Sequence, residues 1–276
     1  MLYYSVRITR IELSKLNRGG ILMGLILFIL ILTTALAVHE LGHAVVMVNN
    51  GVELRRIGLG FPLGRPLFQW QWKRFPGINF EIHPLLLGAF VEPTTKGSRH
   101  MKSLSYKAKA DIYAAGAWAN IVFYLVVSLM VGLFFLDQGL NHTAYARTAG
   151  ICAALLLFRH FFRRYLLPII GLVWFGLILY LISQDPLETV SGPVGIVAMA
   201  KDQSVNVVAT ILFGGYISLM LGLFNAIPVY PLDGGKIVEI FFKNDKARQV
   251  FRAIGMATFL SIILLAFATD FINLLA

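Results

Sequence analysis

The chain reads as an all-α polytopic membrane protein of about six transmembrane helices, with a small membrane-associated β-meander or hairpin in its first cytoplasmic loop. Three observations predict this. Only 14% of the 276 residues are charged, against about 25% in an ordinary soluble domain. Hydrophobic residues make up 58%, and the mean hydropathy is +0.74. Several uncharged runs approach or exceed the roughly 20 apolar residues that cross a bilayer.

Read in order, residues 1–20 are polar and basic, and a span is expected over 21–48, where Ile21 to Val38 carry no charge. The first apolar run is too long for a cleavable signal peptide and leads on into polar residues of interest. Residues 52–91 alternate in places. Phe68, Trp70 and Trp72 interleave with Gln69, Gln71 and Lys73, and Ile78, Phe80 and Ile82 interleave with Asn79, Glu81 and His83. Period two between Gly and Pro breakers predicts short strands, with the aromatic residues at the membrane interface. His83, His100, His142 and His160 have no ligand spacing and are expected to be interfacial or solvated. A basic connection over 92–111 precedes a span at 112–136. The region 138–184 reads as a two-span insertion, 205–235 as a span with a broken end, and 253–275 as the last span. Together, 1–276 form one membrane-embedded domain.

The charge pattern orients these spans. Lys and Arg number ten in loop 49–111, three in 159–164 and five in 233–252; the alternate faces hold four (1–20), one (Arg147) and one (Lys201). By the positive-inside rule the richer loops are cytoplasmic, so the net charge of +10 reflects topology and no nucleic-acid partner is expected. A lone cysteine, Cys152, excludes an internal disulfide framework and a Cys-based zinc site.

Within the first span lies His39-Glu40-Leu41-Gly42-His43. Ionisable groups at membrane depth are expensive and point to function. Histidines at i and i+4 share a helix face and can bind one ion. The glutamate between them can deprotonate a metal-bound water, and imidazole with carboxylate suits zinc. A catalytic zinc site needs a third protein ligand and an open position. Asp233 is the candidate. It ends the uncharged run 205–232, in Asn225-Ala-Ile-Pro-Val-Tyr-Pro-Leu-Asp-Gly-Gly235, where prolines and glycines should break the helix. Irregular backbone at that depth is tolerated only inside protein or beside a wet cavity. For Asp233 to meet the histidines, its span and the first must run in the same direction, which favours a crossing at 138–162 and hence six spans.

HELGH at 39–43 and NAIPVYPLDGG at 225–235 make the chain resemble the site-2 protease family of intramembrane zinc metalloproteases, in a minimal form without a PDZ or nucleotide-sensing domain. Ala115-Gly-Ala-Trp-Ala-Asn120 is similar to the family's AGPxxN segment, with Ala117 where proline is usual, and SGPVG at 191–195 adds support. The resemblance implies one Zn2+ per chain on His39, His43 and Asp233, with Glu40 as general base. It implies that Asn225 and Asn120 hold the substrate backbone. It also implies that a strand including Gly88, Ala89, Phe90 and Val91 pairs with the substrate. The implied substrate is a single-span transmembrane protein, pre-trimmed by another protease and cut in the cytoplasmic half of a prokaryotic cytoplasmic membrane.

Other readings stay open at this stage. An inactive, membrane-protein-binding relative would keep the same residues. A transporter predicts inverted repeats, and none is visible. A prenyl-protein endopeptidase would need a later glutamate ligand, and no later glutamate lies in a convincing span. Asn120 could serve in helix packing, and 87–91 could be scaffold.

Overall fold

The computed structural model describes residues 18–134, 150, 153–154, 169–177 and 207–275, apart from 74, 76 and 87. Helix α1 (Arg18–Asn49) is apolar on every side, as a helix surrounded by lipid and protein must be; Leu22, Leu30 and Val45 are exposed. It ends in a Schellman turn. Val52 N donates to Met47 O and Gly51 N to Val48 O, with Gly51 at φ 74°. That conformation favours glycine. The cap fixes where the helix stops, and so how far HELGH lies from its end.

Four short strands follow: β1 (Leu54–Leu59), β2 (Phe68–Gln71), β3 (Asn79–Ile82) and β4 (Ala89–Pro93). Their order is β2-β3-β1-β4. β2 and β3 form an antiparallel hairpin, β1 and β4 are antiparallel, but β1 and β3 run parallel. The sheet is therefore mixed and not a meander. The reason lies in residues 60–67. Pro62 and Pro66 have no N–H to donate to a ladder, and Gly60 and Gly64 turn at positive φ. The chain leaves β1 without turning straight back beside it and places β2 at the outer edge, where all four of its residues are exposed.

His83 also departs from expectation: it is fully buried. Its Nε2 lies 3.1 Å from Glu81 Oε2, and Arg56 donates to both Glu81 and Glu92. The alternation at 78–83 is real, but Arg56 on the adjacent strand covers the polar face and makes it interior. His100 is exposed, its Nε2 3.0 Å from Asn50 O, and His142 and His160 lie outside the described residues.

Helix α2 (Thr95–Ser103) is capped by Thr94, whose hydroxyl accepts from Gly97 N. Helix α3 (Tyr106–Phe134) is the centre of the bundle. Its buried face includes Ala110, Ala114, Ala115, Ala117, Trp118, Ile121 and Tyr124. Small residues let helices approach closely in a membrane. A Cβ on Gly42 of α1 would lie 2.5 Å from the Ala115 carbonyl oxygen. On the other side of α3 packs α4 (Val207–Asn225), where a Cβ on Gly222 would lie 2.9 Å from Ala117 O. After an irregular stretch come α5 (Asp233–Glu239) and α6 (Asp245–Leu275).

Among the described residues three helices are long and apolar enough to cross a membrane: Leu25–Asn49, Tyr106–Val131 and Asp245–Ile272; Thr210–Asn225 is a shorter apolar helix. The crossing expected at 138–162 lies almost wholly outside the described residues, as does SGPVG. Residues 169–177 are helical.

Candidate metal centre

The helix breaks where the prolines and glycines of 225–235 predict. Four glycines then hold the irregular stretch in place. A Cβ on Gly171 or Gly234 would run into the Ala226 carbonyl, one on Gly235 into Val229 and Tyr230, and one on Gly255 would lie 2.7 Å from Tyr230 N. Arg252 of α6 lies over the Tyr230 ring at 5.6 Å and donates to Glu239. The result is that α5 begins deep inside the protein. Asp233, its first residue, is only 2% exposed.

There Asp233 meets the two histidines of α1. Its Oδ2 lies 3.0 Å from His39 Nε2 and 3.0 Å from His43 Nε2, and the two Nε2 atoms are 3.2 Å apart. The three ligand atoms thus form a small triangle. A tetrahedral zinc with ligands at about 2.0–2.2 Å has ligand–ligand edges of about 3.3 Å, so small adjustments would admit the ion. The donor set fits as well. His43 Nδ1 donates to the Ile112 carbonyl at 2.7 Å, which leaves the Nε2 lone pair free to coordinate. Among the described residues these three are the group able to hold a metal ion.

Glu40 sits within electrostatic range of His39, His43, Asp233 and Lys236. Helix α3 passes directly beneath the imidazoles. A Cβ on Gly116 would lie 2.5 Å from His43 Nε2 and 2.6 Å from His39 Nε2. Asn120, one turn further on, is fully buried, and neither amide atom has a partner among the described residues. Asn225 donates from Nδ2 to Leu221 O, so its amide oxygen is left for another partner.

Of the strand residues, Gly88 accepts from Gly60 N, and Ala89, Phe90 and Val91 pair with Leu59, Gly58 and Ile57. The Phe90 ring is taken up by Arg56 at 5.1 Å and by His83, and Val91 packs into the core between the sheet and α1. Thr33 of α1 donates to Leu86 O just before β4. What these residues leave available is backbone, along the edge of β4 that β1 does not use.

Sequence reasoning missed two contributors. Lys236 donates to Asp233 Oδ1 at 2.9 Å, and Gly116 makes room for the ligands. The first was detectable only once a helix is known to start at Asp233, which puts Lys236 one turn later.

Three side chains able to hold a metal ion thus meet in a bundle whose long helices are apolar enough to cross a membrane. The family model of Peptidase family M50 matches residues 27–266, and the chain belongs to that family, the site-2 protease family of zinc metalloproteases. Two relatives carry the name "Putative zinc metalloprotease". One, from Pasteurella multocida, is 30% identical over 108 residues, covering 36% of this chain and 24% of that protein. The other, from Streptococcus pneumoniae, is 46% identical over 59 residues, 21% of this chain and 14% of its own. The matched region is thus about a quarter or less of these relatives' length.

Proposed function

We propose that the protein is an intramembrane zinc endopeptidase that hydrolyses a peptide bond within or near an unwound transmembrane segment. The observation that carries the reading is the convergence within 3.0–3.2 Å of His39 and His43, on a helix long and apolar enough to cross a membrane, with the buried Asp233 at the start of α5, and with Glu40 next to His39 in the chain. Zinc held by these three would act as a Lewis acid and lower the pKa of its water to about 7. Glu40 then takes the proton of the attacking water and delivers it to the leaving amine, so that it ends the cycle as it began.

The substrate is a single-span membrane protein. Its helix hides the scissile amide in intrahelical hydrogen bonds, and cleavage needs an extended strand. The free edge of β4 offers main-chain pairing of that kind, and β4 packs on α1, the helix that bears HELGH. Asn120 and Asn225 supply amides for the extended backbone. The exposed aromatics Phe68, Trp70 and Trp72 suit the interface of a lipid bilayer. The cut falls in the cytoplasmic half of a prokaryotic cytoplasmic membrane, as the second step after another protease has trimmed the substrate.

The test is Glu40→Gln in reconstituted vesicles with a single-span substrate. Zinc content should stay at one per chain while cleavage falls by a factor of about 10² or more. Undiminished cleavage would refute the mechanism, and a wild type that binds zinc but cuts no membrane substrate would favour the inactive relative.

A further inference from the structure

A carboxylate has two oxygens, and how many reach a metal decides whether a coordination position stays open. In Asp233 the two are differently engaged. Oδ2 faces both imidazoles at 3.0 Å, while Oδ1 accepts from Lys236 Nζ at 2.9 Å. The Asp233 side chain is 3% exposed and that of Lys236 39%, so the lysine reaches from the rim of the site into its interior.

Its position is doubly fixed. Lys236 is three residues after Asp233 on the same short helix, a spacing that brings side chains together. Its ammonium also lies 5.9 Å from the centre of the Tyr113 ring, within reach of a cation–π attraction. Tyr113 follows Ile112, whose carbonyl accepts from His43 Nδ1. One turn of α3 thus orients a ligand from α1 directly and supports the lysine that touches the ligand from α5.

We propose that Lys236 is a positioning residue for the metal: by holding Oδ1 of Asp233 it makes this aspartate a ligand through Oδ2 alone. A charge-assisted hydrogen bond of this length resists rotation of the carboxylate. With zinc bound, one aspartate oxygen and two imidazoles would leave a fourth position of a tetrahedral site for water. Without the lysine the carboxylate is free to turn both oxygens toward the ion and fill that position. The inference rests on the metal-site reading above.

The experiment replaces zinc by Co(II), whose visible absorption weakens as four-coordinate sites become five-coordinate, in full-length wild type, Lys236→Met and Lys236→Arg. The wild type should take up one Co(II) per chain with strong absorption. Lys236→Met should bind with clearly weaker absorption and lose about 10–100-fold in kcat with zinc, with KM little changed. Lys236→Arg, which keeps a cationic donor, should retain the wild-type spectrum. An identical spectrum in Lys236→Met overturns the inference, whatever its activity. If Lys236→Met does not fold, Tyr113→Leu takes its place. It should weaken the absorption in the same direction, and an unchanged spectrum overturns the inference equally. A wild type that binds no Co(II) or zinc instead sinks the metal-site reading itself.

Discussion

At Gly116 the absence of a side chain is what the site requires. A methyl group there would lie 2.5–2.6 Å from ring atoms of both histidines, far inside van der Waals contact. Neither imidazole can retreat freely. His43 is tied to Ile112 O, and both Nε2 atoms meet Asp233. Gly116→Ala should therefore displace the ligands by a fraction of an ångström or more and leave α3 helical, since alanine is the better helix former. Misplacement of about 1 Å can cost about 10²-fold in rate. Cleavage by the variant should fall on that scale while far-ultraviolet circular dichroism is unchanged; wild-type activity would show that the ring positions are not critical.

At the scale of elements, the strands of the sheet are held to one another by more than backbone pairing. Arg56 on β1 bridges Glu81 of β3 and Glu92 of β4, across the two ladders that flank β1. The Arg56 hydrogen bond and charge hold the Glu92 carboxyl below the ordinary glutamate value of 4.5. A depressed carboxylate stabilises the fold at pH above its unfolded value, and that contribution is lost as pH falls through the folded one. The β1–β4 ladder should thus loosen selectively below about pH 4.5. Amide hydrogen exchange across Leu54–Leu59 and Ala89–Pro93 would show protection falling with acid in the wild type. In Glu92→Gln the fall should be shallower, and equal acid sensitivity in the two would remove Glu92 from the account. This network also shows what the sequence concealed. Alternation at 78–83 marks two faces but does not say which is inside; that depends on Arg56, brought alongside by a parallel pairing that no local pattern encodes. The outer position of β2 was likewise hidden, although Pro62 and Pro66 already forbade the tight pairing of a meander. By contrast, the break after Asn225 was legible because Pro228, Pro231 and two glycines act locally.

For the molecule as a whole, the same contrast explains why the three residues that converge could be picked out before the fold. His39 and His43 are a local pattern, and Asp233 stood out because an acidic group at the end of an apolar run needs a cation. Lys236 escaped because its role depends on the helix start at Asp233. The structure joins α1 and α5 through these side chains, and 190 residues separate His43 from Asp233. An ion bound at that junction cross-links the first and last thirds of the chain and binds the folded state alone. Mass action then predicts stabilisation of about 2.7 kcal/mol at a free zinc concentration 100 times Kd. Thermal unfolding in detergent micelles should therefore shift downward on treatment with a strong chelator and return on adding zinc. In His39→Ala the shift should shrink or vanish, because one of the three ligands is gone. A wild type whose unfolding temperature ignores both chelator and zinc would mean that the junction is held by hydrogen bonds alone.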